Sequence, residues 1–257
     1  MQQKFGECIC CGREELSLAR TFLRLLLTFP RRFLTRFAFR NVCVSEHLDQ
    51  RLQLRNSVVV RNAISEIQVA ESDSSSMRYS TNTPFVYIGR LVVEKGVGVL
   101  VQASSLLKKR GRLFQVRIIG DGPERAALEA MAKKLDVTVE VQFMGFKEGE
   151  ELATVLEIPC ILVMPSICQD VAPFAPLEHM IRARPIIASD IGGLSEEVGD
   201  AGLKFPPGDS EGLADQMERI LLDPVLAERL GNKGRKRVLE RYTSERMIRA
   251  YLDLLNS

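Results

Sequence analysis

Two carboxylates, Asp170 and Glu178, stand eight residues apart on either side of a proline-rich turn, and two cations, Arg90 and Lys95, stand in a glycine-bounded loop far upstream. Ionised carboxylates only accept hydrogen bonds, so the pair suits the hydroxyls of a ribose and a hexose. Arg90 and Lys95, framed by Gly89 and Gly96 at the edge of a helix start, suit a diphosphate, because glycine admits close backbone approach and a helix N-terminus favours anions. Backbone amides from Ala172 to Leu177, including those around Phe174, Ala175 and Pro176, add to such a phosphate site. Blander readings stand beside these: Asp170 caps the following helix, Glu178 sits in a surface ion pair, and Arg90 and Lys95 pair with Glu94 in a solvated loop.

Positioning such groups requires a scaffold, and from Pro84 onward strand-like and helix-like stretches alternate. Strands are expected at Phe85–Ile88, Gln115–Ile119, Val139–Phe143, Cys160–Met164, Pro185–Ala188 and Gly202–Phe205. Helices fall between them at Gly96–Lys109, Glu124–Leu135, Gly149–Glu157, near Pro176–Arg182 and, as a single turn after a Gly-Gly turn, at Ser195–Val198. Three more close the chain at Glu211–Leu222, Pro224–Arg241 and Ser244–Leu255. Short β-branched strands alternating with helices demand a parallel sheet covered on both faces, so the expected fold class is α/β, a doubly wound Rossmann-like domain. In such sheets ligands sit beyond the carboxyl ends of the strands, where the chemistry-bearing residues fall.

Upstream the pattern is sparser. A strand at Asn41–Ser45, a helix beginning at Ser45 and a strand at Ser57–Arg61 are too few to enclose a core. Residues 66–83 are polar and serine-rich and read as a linker, which sets the expected division at 1–80 and 81–257. Residues 14–40 read as basic, apolar helices broken at Pro30. Seven arginines lie between Arg13 and Arg40 against Glu14 and Glu15. Packing of this segment on a sheet is favoured over peripheral contact with an anionic membrane surface, since a basic amphipathic pattern is weakly specific.

The net charge of +2 gives no argument for nucleic acid. Six cysteines, with no second cluster to answer Cys8, Cys10 and Cys11, and no signal-like segment, lead to the expectation of reduced thiols in a cytoplasmic protein without a structural metal. No apolar run approaches the roughly 20 residues of a membrane-spanning helix.

The ordered set GRLVVEKG (89–96), GDGP (120–123), MGF (144–146), PS followed by the two acids, PIIASDIGGLSEEV (185–198) and PPGD (206–209) resembles the carboxy-terminal half of glycosyltransferase family 4. That family comprises retaining enzymes of the two-domain GT-B fold. The resemblance spans Pro84 to Ser257 and extends faintly upstream, where VVVRNAI (58–64) looks like the end of the family's amino-terminal domain. It implies that Arg90 and Lys95 bind the diphosphate of a UDP- or GDP-sugar without an obligatory metal or cofactor, and that Glu178 holds the ribose. Asp170 takes the place of the glutamate that contacts the transferred sugar, one methylene shorter. Loop amides at Phe174 to Leu177 complete the phosphate site, Phe146 lies by the base, and Glu196 is a further neighbour. Implied activity is sugar transfer in polysaccharide or glycolipid synthesis. Residues 1–80 then stand for a truncated amino-terminal domain. Transfer is expected to be poor without a separate amino-terminal glycosyltransferase domain, because both halves must close around the donor. A module that binds a nucleotide or nucleotide sugar without turnover is the alternative.

Overall fold

A computed structural model describes residues 27, 33–35, 37–65, 68–69 and 78–256. Most of the basic segment 14–40, much of the serine-rich linker, and Cys8, Cys10 and Cys11 lie outside the described residues.

The main body is a six-stranded, wholly parallel sheet. Its strands are β3 (Phe85–Ile88), β4 (Val116–Ile119), β5 (Val141–Gly145), β6 (Ile161–Met164), β7 (Ile186–Ser189) and β8 (Leu203–Phe205), in the order β5-β4-β3-β6-β7-β8. The chain builds outward from β3 through β4 to β5, then returns to the other side of β3 and builds through β6 and β7 to β8. The order therefore reverses between β3 and β6, and the crevice at their carboxyl ends is where this topology admits a ligand.

Both faces of the sheet are covered, as parallel strands require. Alternate residues of β6 go to opposite sides: Ile161 and Val163 join Phe85, Tyr87, Val116 and Ile118 in one core, while Leu162 and Met164 join Ile186 and Ala188 in the other. The first core is closed by helices α2 (Val97–Lys109) and α7 (Ser210–Leu222). The second is closed by α5 (Phe174–Ile181) and α8 (Pro224–Arg241). Between them in the chain come α3 (Arg125–Lys134), α4 (Gly149–Leu156) and α6 (Gly192–Val198), and α9 (Ser244–Leu255) ends it. Local chemistry fixes the helix starts. Asp209 accepts from Gly212 N at 2.9 Å to begin α7, and Asp223 accepts from Leu226 N at 2.9 Å to begin α8, with Pro224 as its first residue.

Ahead of this body, β1 (Asn41–Cys43) and β2 (Ser57–Val59) pair in parallel, joined by α1 (Glu46–Leu52), whose first turn is capped by Ser45 Oγ accepting from Leu48 N at 3.2 Å. The pair leans on α6 through α1. The chain then passes beside the carboxy-terminal segment, with Ile64 N donating to Tyr242 O at 2.8 Å and Ser244 N donating to Ile64 O at 3.2 Å.

Most boundaries fall within one or two residues of the sequence reading, and two of the differences have a physical reason. Strand β5 starts at Val141, since residues 138–140 form a turn closed by Val141 N donating to Val137 O. Helix α6 starts at Gly192, so the Gly-Gly pair is its first turn rather than a separate turn ahead of it.

Candidate functional site

The exits of β3 and β6 touch. Gly96 caps the start of α2 with φ of 64°, and a Cβ there would lie 2.0 Å from the carbonyl oxygen of Pro165. Only glycine accepts both that backbone and that approach. The contact brings Lys95 to the loop after β6, where its Nζ lies 2.8 Å and 2.9 Å from the two carboxylate oxygens of Asp170. Ser166, only 2% exposed, donates from Oγ to Asp170 Oδ2 at 2.8 Å. Lys95 therefore pairs with Asp170 and not with Glu94, whose carbonyl accepts from Ile167 N at 2.9 Å.

Asp170 does not cap α5. That position is Pro173, and no side chain closes the helix start. The first-turn amides of Phe174 and Ala175 thus lack an intrahelical acceptor, whereas Pro176 has no N–H to give and Leu177 is buried in the core. Glu178 follows half-buried on the second turn, and among the described residues its carboxylate has no hydrogen-bond or ion-pair partner. Arg90 is exposed at the exit of β3, without a carboxylate partner among the described residues; its carbonyl accepts from Tyr87 Oη at 2.8 Å. Burial pushes the Tyr87 hydroxyl up, so it stays a proton donor. Phe146 is exposed beyond the end of β5, next to Gly145, whose carbonyl ties it to Gly120 at the end of β4.

The third lip comes from α6. Gly193 N donates to Asp170 O at 2.8 Å, and a Cβ on Gly193 would lie 1.7 Å from Val171 O, so glycine is what lets the helix meet the loop. Glu196, on the same helix, is engaged by the amino-terminal segment: one carboxylate oxygen accepts from His47 N at 3.0 Å, the other from Arg61 at 3.2 Å. That segment also reaches the loop. His47 Nε2 lies 3.2 Å from Gln169 Oε1, Arg51 bonds the same oxygen, and Asn62 Nδ2 donates to Ala172 O at 3.1 Å.

Two buried ionisable groups flank this region. Glu197 is 3% exposed with one oxygen unpartnered; burial, then the charges of Glu196 and Asp170, push its carboxyl up to about 9. His179 is buried on α5, and burial with Arg184 and Arg182 nearby lowers it to about 3, so it is neutral at ordinary pH. Among the described residues no cluster of three or more His, Cys, Asp or Glu side chains has the arrangement of a metal site.

Of the residues singled out in the sequence, Lys95 and Asp170 are in direct contact, Arg90, Phe174 and Ala175 belong to the same strand exits and helix start, and Glu196 faces the amino-terminal segment. Sequence reasoning missed Ser166, Gln169, Asn62 and Glu197. The Pro-Ser exit was visible, but nothing in it tells which acid the hydroxyl meets. Cations, uncapped amides and acceptor carboxylates at one crevice can hold a diphosphate bearing hydroxylated groups.

The family model described as Glycosyl transferases group 1 matches residues 69–237, more than half of the chain. An alpha-D-kanosaminyltransferase of Streptomyces kanamyceticus is 34% identical over 151 residues, 58% of this chain and 39% of that protein. A glycogen synthase of Mycobacterium tuberculosis is 30% identical over 193 residues, 72% of this chain and 44% of that protein. The chain thus spans less than half the length of these relatives. Among solved structures, sucrose-phosphate synthase from Thermosynechococcus elongatus superposes with a TM-score of 0.73 at 25% identity, covering 88% of this chain and 60% of that one. Anabaena HepE, solved with UDP and glucose, gives 0.70 at 17% identity, covering 87% and 64%. The six-stranded parallel sheet with helices on both faces is that of the Rossmann-like carboxy-terminal domain in these neighbours, and the chain belongs to the glycosyl transferases group 1 family.

Proposed function

We propose that this chain is the donor-binding half of a retaining, family 4 type glycosyltransferase of GT-B architecture. Its substrate is a UDP- or GDP-sugar, and its setting is polysaccharide or glycolipid assembly. The observation that supports this most is the Lys95–Asp170 pair beside the uncapped start of α5, at the point where the sheet order reverses. Arg90 and Lys95 neutralise the diphosphate, the amides of Phe174 and Ala175 donate to its oxygens, Asp170 accepts from a sugar hydroxyl and Glu178 from the ribose. Cations in place of a metal balance the leaving group. Backbone near Phe146 meets the base. That UDP occupies the neighbour HepE supports a nucleotide as the ligand class.

Residues 1–80 are proposed to belong to the amino-terminal domain and its linker, and 81–257 to be the donor domain, with acceptor binding supplied by an amino-terminal half. A second reading is donor binding without turnover, in which His179, buried and neutral, takes no part in proton transfer. The exposed Phe33, Leu34, Phe37 and Phe39, with the Arg40 guanidinium 4.6 Å from the Phe39 ring, support peripheral membrane contact by this arginine-rich stretch. Sedimentation with anionic vesicles checks that point, and no difference from neutral vesicles removes it.

Titration calorimetry of the chain with UDP, GDP and ADP tests donor binding; no heat with any of them sinks both readings. Sugar release or transfer, measured with and without an amino-terminal half, separates them. Turnover only with the partner supports the transferase, and none under either condition supports the binding module.

A further inference from the structure

The loop from Pro165 to Pro173 carries Asp170 yet belongs to no strand or helix, so its backbone must be held by neighbours. On the side of β3 and α2 it is held by Glu94 O, which accepts from Ile167 N, and by Lys95 on the Asp170 carboxylate. Further anchors come from α6, through Gly193, and from a segment more than 100 residues upstream. His47 and Arg51 meet Gln169, just before Asp170; Asn62 holds the carbonyl of Ala172, just before the start of α5. The same segment grips α6 by both oxygens of Glu196. One stretch, Ser45 to Asn62, thus ties together the two elements that meet at Asp170 O.

We infer that Asn62, assisted by His47, is a positioning residue for Asp170, so that the site's sugar-facing geometry is set by the amino-terminal segment. The inference rests on the donor-binding reading above. Asn62 suits the role because its amide donates to a carbonyl that would otherwise be free to turn with the loop, and because it leaves the strand exit directly after Arg61, itself fixed on Glu196 and Glu46. Losing this hydrogen bond removes neither Lys95 nor Arg90 from the β3 exit, so diphosphate binding persists. What loosens is the distance between the Asp170 carboxylate and the sugar.

The test compares wild type, Asn62→Ala and His47→Ala by two measurements. Hydrogen exchange at the Gly193 amide, the donor to Asp170 O, is expected to quicken about tenfold in Asn62→Ala and less in His47→Ala, whereas amides in β3 and β4 keep their protection. Calorimetry with UDP and UDP-glucose, and with GDP and GDP-glucose, is expected to show that Asn62→Ala reduces the advantage of sugar nucleotide over free nucleotide at least threefold, with nucleotide affinity changed less than twofold. Unchanged exchange at Gly193 overturns the inference, as does an equal loss for nucleotide and sugar nucleotide. Should wild type bind none of the four ligands, the donor reading fails, and the exchange result still decides the positioning role. His47→Ala, which removes a side chain at a partly exposed site, serves if Asn62→Ala does not fold.

Discussion

The Lys95 ammonium faces both oxygens of Asp170, so an incoming diphosphate meets a cation already neutralised by the chain's own carboxylate. Asp170→Asn is therefore expected to tighten UDP about three- to tenfold, the change that roughly 1 kcal/mol of a partly exposed ion pair supplies, while erasing preference for the sugar nucleotide. Weaker UDP binding by that variant would show that Asp170 orients Lys95 rather than competing for it. Glu197 gives a second residue-level outcome. Its folded carboxyl, raised from 4.5 to about 9, keeps a proton that the unfolded chain releases first, so its contribution is full below about 4.5 and is lost as pH climbs toward about 9. Glu197→Gln should remove that slope, raising the melting temperature over wild type at pH 8 but not at pH 4.5; equal gains at both pH values refute the assignment. Residue types were legible in the sequence here, but pairings were not. Asp170 as helix cap and Asp170 as Lys95 partner are equally compatible with the sequence, and only the touch between Gly96 and Pro165 decides between them.

At the scale of elements, period and punctuation carried most of the information. The β-branched runs marked all six strands of the sheet, and Pro224 and Asp223 marked the start of α8 within one residue. The Gly-Gly pair was misread because glycine signals a turn in sequence, whereas here Gly193 serves a close approach of helix to loop that exists only after folding. Gly193→Ala, forcing a methyl against Val171 O, is expected to cost about 1–3 kcal/mol in denaturant unfolding and to quicken exchange in the Asp170 loop. A loss below about 0.5 kcal/mol would mean that α6 shifts freely and does not fix the loop. The grip of Ser45 to Asn62 on that loop was equally unreadable, since nothing local to either stretch points to a partner over 100 residues away.

For the whole molecule, the feature that stands out is what the described residues leave uncovered. Helix α9 has no buried residue, and Ile248, Tyr251, Leu252 and Leu255 are exposed along it, Leu255 at 81%. Such a face makes little contribution to this chain's own stability, so the double change Leu252→Lys with Leu255→Lys should move the unfolding free energy by less than about 0.5 kcal/mol. A drop of about 2 kcal/mol would show that the face packs within the chain. Titration of UDP into wild type and into the double variant Arg90→Ala, Lys95→Ala decides whether the diphosphate sits at these two cations. The expected result is micromolar-to-millimolar binding by wild type and at least a thirtyfold loss in the variant, about 2 kcal/mol, with cooperative unfolding retained. Equal affinity in the two proteins would contradict the placement of the diphosphate at the β3 and β6 exits.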